Sequence, residues 1–187
     1  MGMSGTPLIV VALEEEAAHL DDRYPVLVTG VGKVAAAVAV TRALATAFAT
    51  GERPSAIINV GTAGALRAGL LGTQEIKTVI QHDFDSPAIE ALIGRAYGPP
   101  IQLQDDGLVL ATGDVFVSDP VTRERIAEHA DLVDMEGYAI AAAAAAYDVP
   151  VRIIKHVSDQ ADDGAFKSWQ ATVDECARAL AVFLHAS

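Results

Sequence analysis

Three carboxylates stand where catalytic groups of an enzyme often stand: Glu16, Glu136 and Asp159 each follow closely on a short apolar, β-branched run. Separated carboxylates suit hydrolysis of a glycosidic bond, in which one protonates the leaving group, one activates water, and the transition state between them is cationic. Each residue also has a plainer reading. Glu14-Glu15-Glu16 can be favourable charge at a helix start, Glu136 a helix-start charge, and Ser158 or Asp159 a helix cap. Competing chemistries lack their signatures: the chain has no G-x-S-x-G, no P-loop and no nucleophilic cysteine motif. His82, Asp83 and Asp85 do not extend to a closed ligand set, so no metal and no cofactor is expected.

The elements that must position these groups read as alternating buried strands and helices. Strand-like runs are Pro7–Leu13, Tyr24–Thr29, Ala56–Val60, Ile76–Gln81, Leu108–Thr112, Leu132–Met135 and Val151–Val157; helical candidates are Val34–Thr50, Val121–His129, Glu136–Tyr147 and Phe166–His185. This pattern predicts an α/β fold, with a mixed, mostly parallel central sheet flanked by helices and residues 1–187 forming one domain. Ligands of such sheets lie beyond the carboxyl ends of the strands, where all three acids fall. Gly30-Val31-Gly32-Lys33-Val34-Ala35 fits a loose G-x-G-x-x-A, but it follows the second strand and lacks an acid at the end of the next one, so a tight turn is expected rather than a dinucleotide site. Gly61-Thr62-Ala63-Gly64 reads as a second turn that lets a ligand approach the backbone, and Asp83–Pro100 as a surface loop or short excursion.

Composition narrows the partners. The 187 residues carry 25 acids against 13 basic side chains, a formal charge of −12, which would repel a nucleic acid or an anionic membrane surface. No stretch reads as long and uniform enough to span a bilayer. The single cysteine, Cys176, reads as a small buried apolar residue, and the expected location is cytoplasmic.

The series VALEEE (Val11–Glu16), TGVGKVAAA (Thr29–Ala37), NVGTAGAL (Asn59–Leu66), QHDFD (Gln81–Asp85), ATGDVFV (Ala111–Val117), VDMEGYAIA (Val133–Ala141) and VSDQAD (Val157–Asp162) resembles the methylthioadenosine/S-adenosylhomocysteine nucleosidases of the purine nucleoside and uridine phosphorylase superfamily. The motifs occur in the family's order over nearly the whole chain. The resemblance implies a small-molecule purine nucleoside as substrate, a homodimer, and a role in methionine salvage. It implies Glu16 as the base for the attacking water and Asp159, assisted by Ser158, as the acid for N7 of the purine. It gives Glu136 the ribose 2′- and 3′-hydroxyls, Met135 the underside of the sugar, Phe116 a stacking contact with the base and Val117 a backbone contact to its edge. Thr62 and Leu13 join the substrate-binding set; Trp169 falls where members often place an aromatic near the 5′-alkylthio group, or is a core residue.

Phosphorylase members generally carry an arginine before the V-G-[ST] segment and a glycine-rich, arginine-containing loop after the first strand. Asn59 and Glu14-Glu15-Glu16 stand in those places, so water is the expected nucleophile. Lys155 takes the place where many members have an arginine near the water site. Ser158-Asp159 favours adenine over a 6-oxopurine. The alternatives are a nucleosidase for another purine such as futalosine, a nucleoside phosphorylase, and a non-catalytic nucleoside-binding protein. Leu13, Trp169 and Tyr97–Pro100 supply apolar surface without a cation, which predicts that a methylthio group is preferred to a homocysteine tail and that a 5′-phosphate is rejected.

Overall fold

The computed structural model describes residues 5–186. Strand β1 (Leu8–Val11) pairs in parallel with β2 (Val26–Val28) on one side and β3 (Ile57–Ala65) on the other. Its run has the period of a strand buried on both faces: Ile9 and Val11 enter a core with Val60, Ile154 and Leu180, while Val10 enters another with Val40, Leu44, Ile57 and Ile140. Helices α1 (Lys33–Thr50) and α4 (Gly137–Ala145) meet over the Val10 side, where Ala36, Ala139, Ala143 and Ala144 keep them close. Helix α5 (Ala165–Ala186) covers the Ile9 side with Leu180.

The remaining strands close a circuit. Strand β8 (Val151–Asp159) runs parallel to β3 along most of its length. The far end of β3 turns to pair antiparallel with β7 (Leu132–Asp134), which pairs with β6 (Leu108–Thr112), then β4 (Thr73–Gln81), which returns to β8. The two-residue β5 (Ile101–Gln102) hangs on the edge of β4. Five of these pairings are parallel and three antiparallel, the mixed, mostly parallel sheet that the strand and helix pattern implied.

Three expectations are corrected. Gly61-Thr62-Ala63-Gly64 is not a turn but the second half of β3, with ladder partners on both flanks. Small residues are needed there because of crowding: a Cβ on Gly64 would lie 3.0 Å from Asp159 Oδ1 and 3.2 Å from both Ala161 Cβ and Val133 Cγ1. The Asp83–Pro100 stretch holds a helix, α2 (Ser86–Ile93), started by the Asp85 side chain accepting from Ala88 N at 3.0 Å and stopped by Gly94 at φ 73°. Pro87 sits in its first turn, so the residues that looked like loop-makers are start and stop signals. None of α2 is buried, so it stands apart from the core. Helix α1, finally, is long and apolar enough by length and mean hydropathy to cross a bilayer; its inner residues Ala36, Val40 and Leu44 are instead buried against the sheet, while Val34 and Val38 face outward at 74% and 61% exposure.

Helix α3 (Pro120–Ala127) begins with Asp119 accepting from Thr122 N and packs Ile126 beside Ala111, Val117 and Val133. It therefore anchors the segment that leaves β6 for the site.

Candidate active site

Just past β1 the chain makes a single 3-10 turn, Glu14–Ala17. Its geometry separates the three adjacent glutamates: Glu14 and Glu15 are exposed, whereas Glu16 turns inward and is 4% exposed. Glu16 Oε1 accepts from Thr62 N at 2.7 Å and Thr62 Oγ1 at 2.9 Å; Oε2 accepts from Ala12 N and Leu13 N at 3.1 and 3.3 Å. Four donors make this a well-solvated carboxylate inside the protein. Glycine at position 61 makes room for two side chains, since a Cβ there would crowd Glu16 Oε1 at 3.0 Å and Lys155 Nζ at 3.3 Å.

Glu136 stands at the N-cap of α4, buried, with Oε1 accepting from Gly32 N at 2.8 Å. Gly32 adopts φ 95°, a conformation glycine tolerates, and this aims its N–H at the carboxylate. The loose G-x-G-x-x-A is thus a tight turn whose amide serves a glutamate. A clasp holds that turn: Lys33 N donates to Asp114 Oδ1 at 2.7 Å, Asp114 N to Asp83 Oδ2 at 2.8 Å, and Lys33 Nζ meets Asp83 Oδ1 at 2.5 Å. Asp83 and Asp85, two of the residues considered for a metal, are therefore engaged in this clasp and in capping α2.

Two residues before Glu136, Asp134 accepts from Thr112 Oγ1 at 2.6 Å and Gly137 N at 2.8 Å and pairs with Lys155 Nζ at 2.9 Å. Lys155 is 2% exposed. Burial opposes its charge, but the negative charges of Asp134, Glu136 and Glu16 outweigh it and hold the ammonium above its ordinary range. Burial, helped by repulsion from Asp134, pushes the Glu136 carboxyl up to about 7 against the pull of Lys155 and the Gly32 amide. Asp159 ends β8; Ser158 Oγ donates to its Oδ2 at 2.8 Å and Ala161 N to its Oδ1 at 2.9 Å. Burial holds this carboxyl above the usual carboxylate range, and the charge of Asp162 adds to the effect.

All three acids line one cavity of about 400 Å³, and so do Leu13, Thr62, Phe116, Val117, Met135, Ser158 and Trp169. The structure thus brings all ten sequence-predicted residues together. A purine-sized ligand fits such a volume, and the wall offers it apolar faces with carboxyl groups of two kinds, one fully hydrogen-bonded and two displaced upward by burial.

Residues 17–107 and 101–187 match the family model described as the phosphorylase superfamily. The chain belongs to that superfamily. It is 34% identical over 160 residues to the 5′-methylthioadenosine/S-adenosylhomocysteine nucleosidase of Shewanella sediminis, an overlap covering 72% of this chain and 67% of the relative. It is 32% identical over 177 residues to the protein of that name from Bacillus thuringiensis, covering 81% and 74%. These relatives place it in the methylthioadenosine/S-adenosylhomocysteine nucleosidase family of the superfamily. Among solved structures, the Streptococcus pneumoniae MTA/SAH nucleosidase in complex with 8-aminoadenine matches with a TM-score of 0.77 at 29% identity over 96% of both chains. A futalosine hydrolase mutant of Helicobacter pylori matches with 0.82 at 20% identity over 97% of both, a likeness of fold.

Several members of the site are not evident from this nucleosidase-family sequence. Asp134 shows in the sequence only as a second acid beside Glu136 where a strand passes into a helix; its pairing with Lys155, on another strand, does not. The Gly32 amide has no side-chain signal at all. Val31, Val115 and Phe166 line the cavity as well. Asn59, by contrast, is not among the lining residues: its Nδ2 donates to the Val10 carbonyl at 3.0 Å inside the sheet.

The raised Glu136 pKa has a stability consequence. The folded state holds this proton more tightly than the unfolded chain, so ionising Glu136 costs folding free energy as pH rises through about 7. From 4.5 to about 7 the ceiling is on the order of 3 kcal/mol. Glu136→Gln should therefore raise Tm at pH 8 by several degrees. The gain should shrink as pH falls from 7 toward 4.5, and a gain independent of pH in thermal melts would contradict the assignment.

Proposed function

We propose that the protein hydrolyses the N-glycosidic bond of 5′-modified adenosines, methylthioadenosine foremost and S-adenosylhomocysteine with it, releasing adenine and the free ribose derivative. The observation that carries this is the burial of Glu16, Glu136 and Asp159 on one cavity, with Asp159 held above the usual carboxylate range so that it can keep and donate a proton. In the proposed reaction Asp159 protonates N7, the C1′–N9 bonding pair leaves with the purine, and a water attacks C1′ while Glu16 takes its proton. Glu136 accepts from the ribose hydroxyls and faces the developing oxocarbenium charge, an interaction that strengthens as the bond breaks. Phe116 and Val117 take the base, Met135 the sugar, and Leu13, Phe166 and Trp169 the 5′ substituent. Water is preferred to phosphate because a phosphate dianion entering this cavity would face these acids, while Lys155 is already paired with Asp134.

A homodimer, working in the cytoplasm in methionine salvage, completes the reading. Val31, Val115 and Phe116 at the cavity are 48%, 59% and 43% exposed, and Val34 and Val38 lie one turn apart on the outer face of α1. Apolar residues in those places favour a second copy covering the mouth. Light scattering should give twice the chain mass, and Val34→Glu with Val38→Glu should yield a monomer of lower activity; a fully active wild-type monomer would overturn this part.

Incubation with methylthioadenosine, S-adenosylhomocysteine, adenosine, AMP and futalosine, with and without phosphate, tests the reaction. Expected are adenine and free methylthioribose, unaltered by phosphate, with the highest kcat/KM for methylthioadenosine. AMP as the best substrate, a sugar 1-phosphate product, or no adenine from any of them would refute it. Glu16→Gln should lower kcat by roughly 10²- to 10⁴-fold, the usual worth of a general base, whereas Glu14→Gln and Glu15→Gln, on exposed side chains, should stay near wild type. Asp159→Asn should nearly abolish adenine release while a substrate analogue still binds, since N7 protonation matters only as the bond breaks.

A further inference from the structure

Trp169 does more than form a wall. Its Nε1 donates to Thr62 Oγ1 at 3.0 Å, and Thr62 Oγ1 in turn donates to Glu16 Oε1 at 2.9 Å. An indole N–H can only donate, and a threonine hydroxyl has a single hydrogen. With the indole occupying one lone pair of Oγ1, that hydrogen is committed to Glu16. We propose that Trp169 is a positioning residue for the base: its N–H, relayed through the Thr62 hydroxyl, fixes the Glu16 carboxylate in the orientation that receives the proton of the attacking water.

The surrounding contacts support a fixed relay. Thr62 N also donates to Oε1, at 2.7 Å, so this oxygen is held twice by short bonds. The Oε2 contacts are longer, at 3.1 and 3.3 Å, so Oε2 is the more loosely held of the two oxygens and the one at which a water can compete for a lone pair. Thr172, within the first turns of α5, has its hydroxyl 2.8 Å from the Ser168 carbonyl of the same helix and 3.2 Å from the Ser158 carbonyl of β8, so its one hydrogen is shared between the helix and the strand beside it. Donors in series polarise one another, so a ring lacking the N–H would preserve the apolar wall and lose the order at the base.

This inference rests on Glu16 acting as the base, and the test separates the two ideas. Trp169 is the sole tryptophan, so a proton–nitrogen correlation spectrum of the labelled protein has one indole signal. That signal should move upfield in Thr62→Val and should also move in Glu16→Gln, which does not touch the indole. Trp169→Phe should lower kcat about tenfold with KM for methylthioadenosine within about twofold, the worth of one hydrogen bond felt in the transition state. In the Thr62→Val background it should cost nothing further. An indole signal indifferent to both substitutions overturns the relay, and so does full kcat in Trp169→Phe or additive losses in the double variant. Should the wild type release no adenine from any nucleoside, the hydrolase reading and the positioning role of Trp169 in it fall together, and the indole signal still decides whether the relay exists.

Discussion

Lys155 and Asp134 face each other at 2.9 Å with side chains 2% and 1% exposed, and the site's other acids are arranged around this pair. Bringing Glu16, Asp134 and Glu136 together out of water would be self-defeating without a cation among them, since the charges of Asp134 and Glu16 both disfavour the Glu136 anion. Lys155 supplies that cation from the middle of β8, and Asp134 receives it while also bonded to Thr112 and to the first amide of α4. Removing one member of so buried a pair typically costs 3–5 kcal/mol, because the other is left charged and alone. With Thr112 the pair ties three strands of the circuit together, β8, β7 and β6, so the electrostatics of the site and the closure of the sheet are one constraint.

Strand β3 is the other half of that constraint. It carries Thr62 to Glu16, gives Lys155 a bare backbone at Gly61, and gives Asp159 one at Gly64. A side chain at either glycine would occupy space now taken by a functional group. The glycines are therefore vacancies into which neighbouring segments project their charged atoms, and the flexibility they lend the backbone is suppressed by pairing with β8 at Gly61 and with both β8 and β7 at Gly64. On the opposite wall the Lys33–Asp83–Asp114 clasp does for Gly32 what the ladder does for β3.

Much of this was legible in the residues. Glu16, Glu136 and Asp159 stand out because each follows an apolar run of strand length, and strand ends are where α/β proteins keep their chemistry. Spacing did not distinguish Glu16 from Glu14 and Glu15; only burial does. The length of β3 was hidden because Gly-Thr-Ala-Gly has the local chemistry of a turn, and pairing with strands remote in sequence overrides local preference. Helix α2 was hidden for the converse reason, since Pro87 and Gly94 punctuate a helix from its ends as readily as they make a loop. The Lys155–Asp134 pair and the Trp169–Thr62–Glu16 relay join different elements, so no periodicity within one segment could disclose them.

Two of the carboxyls share an upward displacement but not its surroundings. Glu136 has a cation in Lys155 and a charge-stabilising amide in Gly32, which pull it back to about 7 from where burial alone would place it. Asp159 has no cation against it: burial raises its carboxyl, the Ser158 hydroxyl and the Ala161 amide draw it part of the way back, and the nearby charge of Asp162 adds a smaller upward push. Of the two, Glu136 alone has a cation beside it to favour its anion, whereas Asp159 has only hydrogen-bond donors, a contrast in surroundings between the anion and the acid of the proposed reaction. In the proposed reaction the chemistry deepens the contrast. Positive charge growing on the sugar favours the anion of Glu136, while electron density growing on the purine draws the proton of Asp159. Both groups therefore gain as the bond breaks rather than when the substrate binds, which is the condition for them to lower the barrier.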